Sequence, residues 1–408
     1  MLDAVLARLD ASAPEVVALQ RDLVAIPALG PANDGDGETA KAAWLASHLH
    51  SLGLPEVREL NAPDSRVPSG LRPNLAARIP GRDDSRTLWI IAHMDIVPAG
   101  DLGLWRTDPF SLHVDGDVLT GRGVEDNHQG LVSGLVLAKA VLEAGAVPPV
   151  GLGLLLVADE ETGSKFGLDW VAANHPELFS PRDLFLVPDH GQPDSAAVEV
   201  AEKSMLWLKI TVQGEQCHAS TPQAGINSLV AAADLILRLR GLYERFPERD
   251  ELFAPPVSTF EPTKKEANVP NVNTIPGRDV FYVDCRVLPS IPLERVEAEI
   301  KALGAAVEAQ HGVTIAYEPV QREQAAPATP VDSDVVRLLL AAIREQYRVE
   351  PRPEGIGGGT VAAFLRRRGH HAAVWSTLVG NAHQPNEQSR ISYTLGDAKV
   401  MARVLYSA

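Results

Sequence analysis

The chain has 408 residues, of which 45% are hydrophobic and 22% charged, a composition typical of a globular protein with two or three domains. Lys and Arg number 37 and Asp and Glu 53, which gives a formal net charge of −16. This acidity argues against a nucleic-acid partner, because phosphate backbones are bound by clustered positive charge. The two cysteines, Cys217 and Cys285, form no Cys-x-x-Cys motif, which excludes a thiolate zinc cage and a thioredoxin-like site.

The first thirty residues predict an amphipathic helix and not a signal peptide, because Asp3, Asp10 and Glu15 recur at helical spacing. The most apolar stretch, residues 150–158, is too short to cross a bilayer. We therefore expect a cytoplasmic protein without a membrane partner.

The first half of the chain alternates between predicted strands and a predicted helix. Short apolar runs at residues 86–92, 150–158 and 184–187 predict buried strands, and residues 130–146 predict a long buried helix. This alternation indicates an α/β fold, with a mostly parallel sheet covered by helices on both faces. Ligands of such sheets bind at the carboxyl ends of the strands.

A different pattern begins near residue 203. Half-exposed strands are predicted at 205–213, 281–287 and 313–320, with helices at 228–242 and 293–310. This order indicates a smaller α+β domain of the ferredoxin-like kind.

The first kind of pattern returns near the C-terminus, with a helix predicted at 332–347 and a strand at 371–378. We therefore predict one α/β domain formed by residues 1–202 and 326–408, interrupted by the α+β domain at residues 203–325.

Acidic residues and histidines follow each predicted buried strand. His93 and Asp95 follow the first strand, Glu160 and Glu161 the second, and Asp189 the third. Adjacent carboxylates at a buried strand end repel one another, and a divalent cation or a raised pKa on one carboxyl group would offset that cost.

Two further residues complete a candidate metal site. Asp126 precedes the long helix, where it could serve as an N-cap, and His383 lies in a loop rich in Gly, Asn and Pro. With His93, Glu161 and Asp189 they make two imidazoles and three carboxylates. That set suits two divalent ions sharing a bridging carboxylate, with zinc as the first choice.

Seven segments occur in an order that resembles one enzyme family: HMDIVP, WRTDPF, GRGVEDNHQG, ADEETGS, GEQCHASTPQAGINS, NVNTIPG and NAHQPNE. The chain resembles the di-zinc metallopeptidase and amidohydrolase family of aminoacylase, glutamate carboxypeptidase, acetylornithine deacetylase and succinyl-diaminopimelate desuccinylase. The resemblance runs from about residue 15 to the C-terminus. It implies a catalytic domain with two Zn²⁺ per subunit, for which Co²⁺ or Mn²⁺ can substitute. It also implies that residues 203–325 form a lid domain through which homodimers assemble.

The resemblance also implies the metal ligands. His93 and Asp189 would hold one ion, Glu161 and His383 the other, and Asp126 would bridge the two. The peptide bond after the bridging Asp is cis in this family.

The resemblance further implies three catalytic roles and a set of substrate contacts. Asp95 would orient His93, and Glu160 would be the general base that activates the metal-bridging water. His218 would stabilise the developing oxyanion, in its own or the neighbouring subunit's site. The substrate contacts would come from Asn273, Arg286, Gly358, Gly359 and Thr360. Arg286 could equally form an ion pair within its own domain.

The chain departs from the family pattern at two places near the site. Asn127-His128-Gln129 replaces the Lys that often precedes the glycine at position 130, and Val361 stands where an Asp often follows Gly-Gly-Thr. These departures bear on the substrate and leave the metal chemistry intact.

We expect hydrolysis of an amide bond in a small peptide or N-acyl amino acid that carries a free carboxylate. Val361 favours a peptidase over a biosynthetic deacylase acting on succinyl-diaminopimelate or acetylornithine, but both stay open. A different alternative is an inactive, metal-binding dimeric scaffold, which the intact Glu160 disfavours. The chain has no Gly-x-Ser-x-Gly motif, which argues against a serine hydrolase.

Overall fold

A computed structural model describes residues 1–145 and 147–408. Its α-helices are α1 (Leu2–Asp10), α2 (Ala13–Val24), α3 (Thr39–Ser51), α4 (His128–Glu143), α5 (Leu168–Asn174), α6 (Ser228–Leu239), α7 (Leu242–Arg245), α8 (Leu293–His311), α9 (Asp334–Tyr347), α10 (Ala362–Arg366) and α11 (Ile391–Ser407). Its β-strands are β1 (Glu56–Pro63), β2 (Leu71–Ile79), β3 (Asp83–His93), β4 (His113–Asp115), β5 (Val118–Thr120), β6 (Val150–Val157), β7 (Leu184–Gly191), β8 (Ala197–Glu202), β9 (Ser204–Gln213), β10 (Cys217–His218), β11 (Thr259–Lys265), β12 (Thr274–Ile275), β13 (Arg278–Val287), β14 (Thr314–Glu323), β15 (Arg352–Ile356), β16 (Ala372–Ser376) and β17 (Gln388–Arg390). Among these helices none is long and apolar enough to cross a membrane.

The described chain divides into two compact units. The first unit comprises residues 1–200, 328–354 and 360–408, and the second comprises residues 201–327 and 355–359. The assignment of a catalytic role to one and a lid role to the other stays a prediction.

The first unit contains an eight-stranded mixed sheet with the order β1-β2-β6-β3-β7-β16-β8-β15. The neighbours β6, β3, β7 and β16 run parallel, whereas β1 and β2 are antiparallel. Every residue of β6 is buried, as expected for a strand covered on both faces. The predicted α/β class is confirmed, and the three predicted buried strands are β3, β6 and β7 at the centre of the sheet.

The long predicted helix is α4, which begins at His128, directly after the segment that carries Asp126. The last residue of the predicted helix, Ala146, lies outside the described residues. A glycine lets α4 approach β7 closely. A Cβ at Gly130 would lie 2.3 Å from Oδ1 of Asn127 and 2.6 Å from Cγ of Pro188, closer than atoms can pack.

The N-terminal prediction is wrong in one respect, because the segment forms two helices instead of one. Helix α1 ends at Asp10 and α2 begins at Ala13, with Pro14 in its first turn. Proline lacks the N–H that would continue α1, but it fits the first turn of a new helix.

The second unit has the element order βαββαβ, formed by β9, α6, β11, β13, α8 and β14. Its antiparallel sheet has the strand order β11-β13-β9-β14, the order of a ferredoxin-like fold. The sequence did not predict β11. This strand lies at the sheet edge and contains Pro262 and consecutive lysines, which an edge strand tolerates but which weaken a strand pattern.

We predict that Gly130→Ala lowers the free energy of unfolding by about 1–3 kcal/mol, because the added methyl group clashes with Asn127 and Pro188. Gly134→Ala in the same helix is the matched control, since its Cβ would lie 3.1 Å from the flexible end of Leu154 and at ordinary contact distance, 3.5 Å, from Cγ2 of Ile90. Both substitutions raise helix propensity, so chemical denaturation of the pair isolates the clash. Equal stability of the two variants would contradict the close approach.

Candidate metal centre and active site

The first unit brings the five predicted metal ligands together at the carboxyl ends of its central strands. His93 is the last residue of β3, and Asp189 lies near the end of β7. Glu161 lies in a 3₁₀ turn after β6, Asp126 precedes α4, and His383 lies in the loop before β17. Residues from five separate parts of the chain thus meet at one edge of the sheet.

The two oxygens of Asp126 face different histidines. Oδ1 lies 2.8 Å from Nε2 of His93, and Oδ2 lies 3.0 Å from Nε2 of His383. His93 Nε2 is also 3.6 Å from Oδ1 of Asp189, and His383 Nε2 is 3.2 Å from Oε2 of Glu161. Two ligand groups therefore share Asp126, and within each group the ligand atoms lie within 4.8 Å of one another.

This geometry fits divalent metal ions. Two nitrogen or oxygen ligands about 2.0–2.1 Å from a tetrahedral ion lie about 3.3 Å apart, within the range of the contacts just described. Oε1 of Glu161 is buried and has no hydrogen-bond partner among the described residues. A buried oxygen of this kind calls for a donor or a cation. A set of imidazoles and carboxylates suits zinc, cobalt or manganese.

The charges of the cluster also favour a cation. Burial raises the pKa of Glu160 well above its usual range, and the charge of Asp189 adds to the effect. Hydrogen bonds to two carboxylates raise the pKa of His383 to about 10. Burial opposes protonation of His93, but the charge of Asp189 and the hydrogen bond to Asp126 raise its pKa well above the usual value. The carboxylates thus stabilise positive charge within the cluster.

The predicted role of Asp95, to orient His93, stays a prediction, and Asp95 also makes contacts that the sequence did not predict. Nδ1 of His93 donates to the main-chain carbonyl of Asp95 at 2.9 Å, which leaves Nε2 as the atom that faces the cluster. The carboxylate of Asp95 is 3.5 Å from Nδ1 and also accepts the backbone N–H groups of Glu160 and Glu161, at 3.1 and 3.0 Å. It holds the turn that carries those two acids.

A buried arginine supports the same turn from the other side. Arg72 is fully buried and forms ion pairs with Glu38, Asp64 and Asp159. Asp159 precedes Glu160 and adopts a left-handed conformation, with φ 62°. A non-glycine residue in this region needs support from its surroundings, which the ion pairs with Arg72 provide.

Asn127, His128 and Gln129, which replace the family's lysine, each tie the start of α4 to a different element. Asn127 donates to Oδ1 of Asp189, and His128 lies 2.6 Å from Nζ of the buried Lys41. Gln129 donates to Asp397 and to main-chain and side-chain oxygens at the end of β16. The Asp126–Asn127 peptide bond is cis, as the family resemblance implied.

The remaining candidates lie mainly on the second unit. His218, in β10, pairs with Thr274 of β12, next to Asn273. Arg286 forms a bidentate ion pair with Asp284, at 2.7 and 3.1 Å, and donates to the carbonyl of Gly357. The intradomain alternative for Arg286 is therefore the arrangement that the structure contains, and its contact with substrate stays a prediction.

The glycine-rich segment is divided between the two units. Gly358 and Gly359 belong to the second unit and Thr360 to the first. A Cβ at Gly358 would meet no described atom within 4 Å, so the backbone there borders open space. The role of these residues in substrate binding stays a prediction.

The tautomer of His218 follows from its neighbours. The backbone N–H of Ser220 donates to Nδ1 of His218 at 3.1 Å, and Oγ of Ser220 lies 2.7 Å from the same atom. Since Nδ1 accepts the backbone N–H, the proton of the neutral ring is on Nε2. His218 is exposed and thus presents Nε2–H as a donor to solvent or a ligand.

Residues 89–407 match the family model described as Peptidase family M20/M25/M40. The chain belongs to this family. An uncharacterized metallohydrolase of Methanococcus maripaludis is 39% identical, over 96% of this chain and 98% of that protein. A succinyl-diaminopimelate desuccinylase of Paracoccus denitrificans is 27% identical, over 82% of this chain and 86% of that protein. Human carnosine dipeptidase 1 shares the fold, with a TM-score of 0.77, 18% identity, and coverage of 99% and 98% of the two chains.

Membership of the family confirms the predicted class of enzyme. The protein is a metallohydrolase with a peptidase or amidohydrolase activity, and its metal ions have candidate ligands in the cluster around Asp126. The scaffold alternative is not supported.

Sequence reasoning missed several residues that contact the site residues or the loops that carry them, namely Glu38, Arg72, Glu125, Ser220 and Glu387. Glu125 and Glu387 lie inside two of the family-like segments, which was an available signal. Glu38 and Arg72 pair across 34 residues and carry no local signal.

We predict that Asp95→Asn loosens the turn that carries Glu160 and Glu161. An amide side chain can accept only one of the two backbone N–H groups, which leaves the other unsatisfied and lowers the free energy of unfolding by about 1–3 kcal/mol. Hydrogen exchange of the backbone amides at residues 159–162 should accelerate in the metal-free protein.

Asp101→Asn is the control for that substitution, because Asp101 accepts one backbone N–H at an exposed turn, from Gly103. Unchanged exchange at residues 159–162 in Asp95→Asn would show that its carboxylate does not hold the turn.

Proposed function

We propose that the protein hydrolyses an amide bond in small peptides or N-acyl amino acids, with two divalent ions, zinc by preference, held by the cluster described above. The observation that carries the proposal is the position of Asp126, whose two oxygens each face a different histidine. His93 and Asp189 would complete one ion's ligand set, and Glu161 and His383 the other's. When bound, such ions polarise the amide carbonyl and make hydroxide accessible at neutral pH.

Glu160 is the general base of this proposal. It follows β6 beside the ligand Glu161, on the turn held by Asp95. Its carboxylate would take a proton from the attacking water and pass it to the nitrogen of the breaking C–N bond. His218 would donate its Nε2 proton in a hydrogen bond to the carbonyl oxygen as negative charge develops there.

The substrate is proposed to carry a free carboxylate. Asn273, Arg286, Gly358, Gly359 and Thr360 are its proposed contacts. Arg286 could serve a substrate through the part of its guanidinium not engaged by Asp284 and Gly357.

A biosynthetic deacylase is the second candidate, because desuccinylases are among the relatives that align over most of the chain. Val361 favours the peptidase. It is 3% exposed and lies in an apolar cluster with Phe185 and Leu365, so it offers no polar group where deacylases often have an Asp.

A homodimer formed through residues 203–325 is also part of the proposal. Helix α6 exposes apolar side chains at Leu229, Val230 and Leu237, with exposed fractions of 39%, 52% and 68%. Exposed apolar side chains on one helix are typical of a surface that another chain covers.

A substrate panel tests the proposed function. The zinc-loaded enzyme is assayed with dipeptides, tripeptides, N-acetyl amino acids and succinyl-diaminopimelate, each with and without a chelator. We expect chelator-sensitive hydrolysis of dipeptides or tripeptides. Hydrolysis of succinyl-diaminopimelate alone would select the deacylase, and hydrolysis that resists complete metal removal would overturn the proposal.

We predict that Glu160→Gln lowers kcat by about 10²–10⁴-fold, because the amide cannot take the proton from water. Bound zinc, measured by elemental analysis, should match the wild type because Glu160 is not a proposed ligand. Wild-type turnover in this variant would exclude Glu160 as the base.

We predict that His218→Ala lowers kcat by about 10²–10³-fold through loss of the oxyanion donor. Zinc content should not change, since His218 is not in the ligand cluster. Loss of zinc from this variant would identify His218 as a ligand and contradict its proposed role.

A further inference from the structure

Two loops that carry metal ligands are joined to each other by buried carboxylates. The first loop, residues 121–127, contains Asp126, and the second, residues 379–387, contains His383. They extend from the same end of the antiparallel pair β5–β17, in which Thr120 lies opposite Gln388. Most of the second loop is partly buried or exposed, and within residues 378–388 Glu387 is the one buried side chain.

The contacts between the loops are reciprocal. Glu125 of the first loop accepts the backbone N–H groups of Gly380 and Asn381 in the second, both at 2.8 Å. Glu387 of the second loop accepts backbone N–H groups of the first, at 2.9 Å from Glu125, 3.1 Å from Asp126 and 3.0 Å from Gly123.

The buried guanidinium group of Arg122 also takes part in the contacts between the two loops. Arg122 is 1% exposed, donates to Oε2 of Glu387 at 2.5 Å, and lies over the ring of Trp105. The two acids are 2% and 0% exposed. Buried carboxylates that accept several backbone N–H groups hold those groups firmly, because each unsatisfied donor would be costly.

We propose that Glu125 and Glu387 are positioning residues that fix the separation of Asp126 and His383, and so set the affinity for the ion that these two ligands share. The inference rests on the proposed two-ion function. Neither acid is a ligand in the cluster, and both act through the backbone of the loops. His383 depends on its loop for support, because its side chain is 54% exposed and its backbone is left-handed, with φ 63°.

Isosteric substitutions test the proposal. In Glu125→Gln and Glu387→Gln an NH₂ group replaces an oxygen that accepts a backbone N–H. Each substitution therefore breaks part of the hydrogen bonding that joins the two loops. Metal-free protein is titrated with Zn²⁺ alone in a calorimeter. We expect the wild type to bind two ions, and each variant to bind one of them about 10–100-fold more weakly, with the other nearly unchanged.

A double-mutant cycle identifies the weakened ion. His383→Ala should weaken the same ion, and adding Glu125→Gln to it should not alter the affinity of the ion that remains. Equal weakening of both ions in Glu125→Gln, or no change in either, would overturn the proposal. A wild type that binds fewer than two ions would instead overturn the proposed function, and this inference with it.

Asp117→Asn is the matched control. Asp117 lies at the opposite end of the β5–β17 pair and accepts the backbone N–H of Ser392 at 2.8 Å. This control should bind both ions as the wild type does. Hydrogen exchange of the metal-free proteins gives a readout independent of metal, since residues 378–388 should exchange faster in Glu125→Gln and not in Asp117→Asn. If Glu387→Gln does not fold, Glu125→Gln decides the outcome with both measurements.

Discussion

Three carboxylates and two imidazoles converge on one point at the edge of the central sheet. The carboxylates repel one another, and the surrounding residues hold them in place against that repulsion. Asp126 lies at the centre, with one oxygen toward each histidine. Around it, Asp95 and Arg72 hold the turn after β6, and Arg122 pairs with Glu387, which accepts backbone N–H groups of the loop that carries Asp126. The ligand positions are thus set by buried charged contacts as well as by the sheet.

The sequence predicted the centre of this arrangement because its signals are local. Runs of apolar residues identify β3, β6 and β7, and the acids and His93 directly follow them. His383 was predicted only jointly with the other four residues and by the family resemblance, since a single histidine in a loop has no pattern of its own. The supporting residues were missed because their partners are distant, as with Glu125 and Gly380, which lie 255 residues apart. Strand β11 was missed because an edge strand can be polar.

The proposed catalytic and substrate-binding residues come from both units. The metal cluster and Glu160 belong to the first unit, whereas His218, Asn273 and Arg286 belong to the second. The names of proteins similar to this chain indicate different amide substrates, since one is a dipeptidase and another a desuccinylase. Within the proposed function, one hydrolytic centre therefore serves different substrates through changes at residues outside the metal cluster.

The contact between Lys41 and His128 links two positions that are far apart in the chain. Nζ of Lys41 lies 2.6 Å from Nε2 of His128, and both side chains are fully buried. The lysine that relatives often carry in this segment, if placed at position 128, would bring two ammonium groups together in a site that water does not reach. An uncharged or acidic residue at position 41 would remove that repulsion. The side chain at one of these two positions therefore affects which side chains can be buried at the other without a large cost.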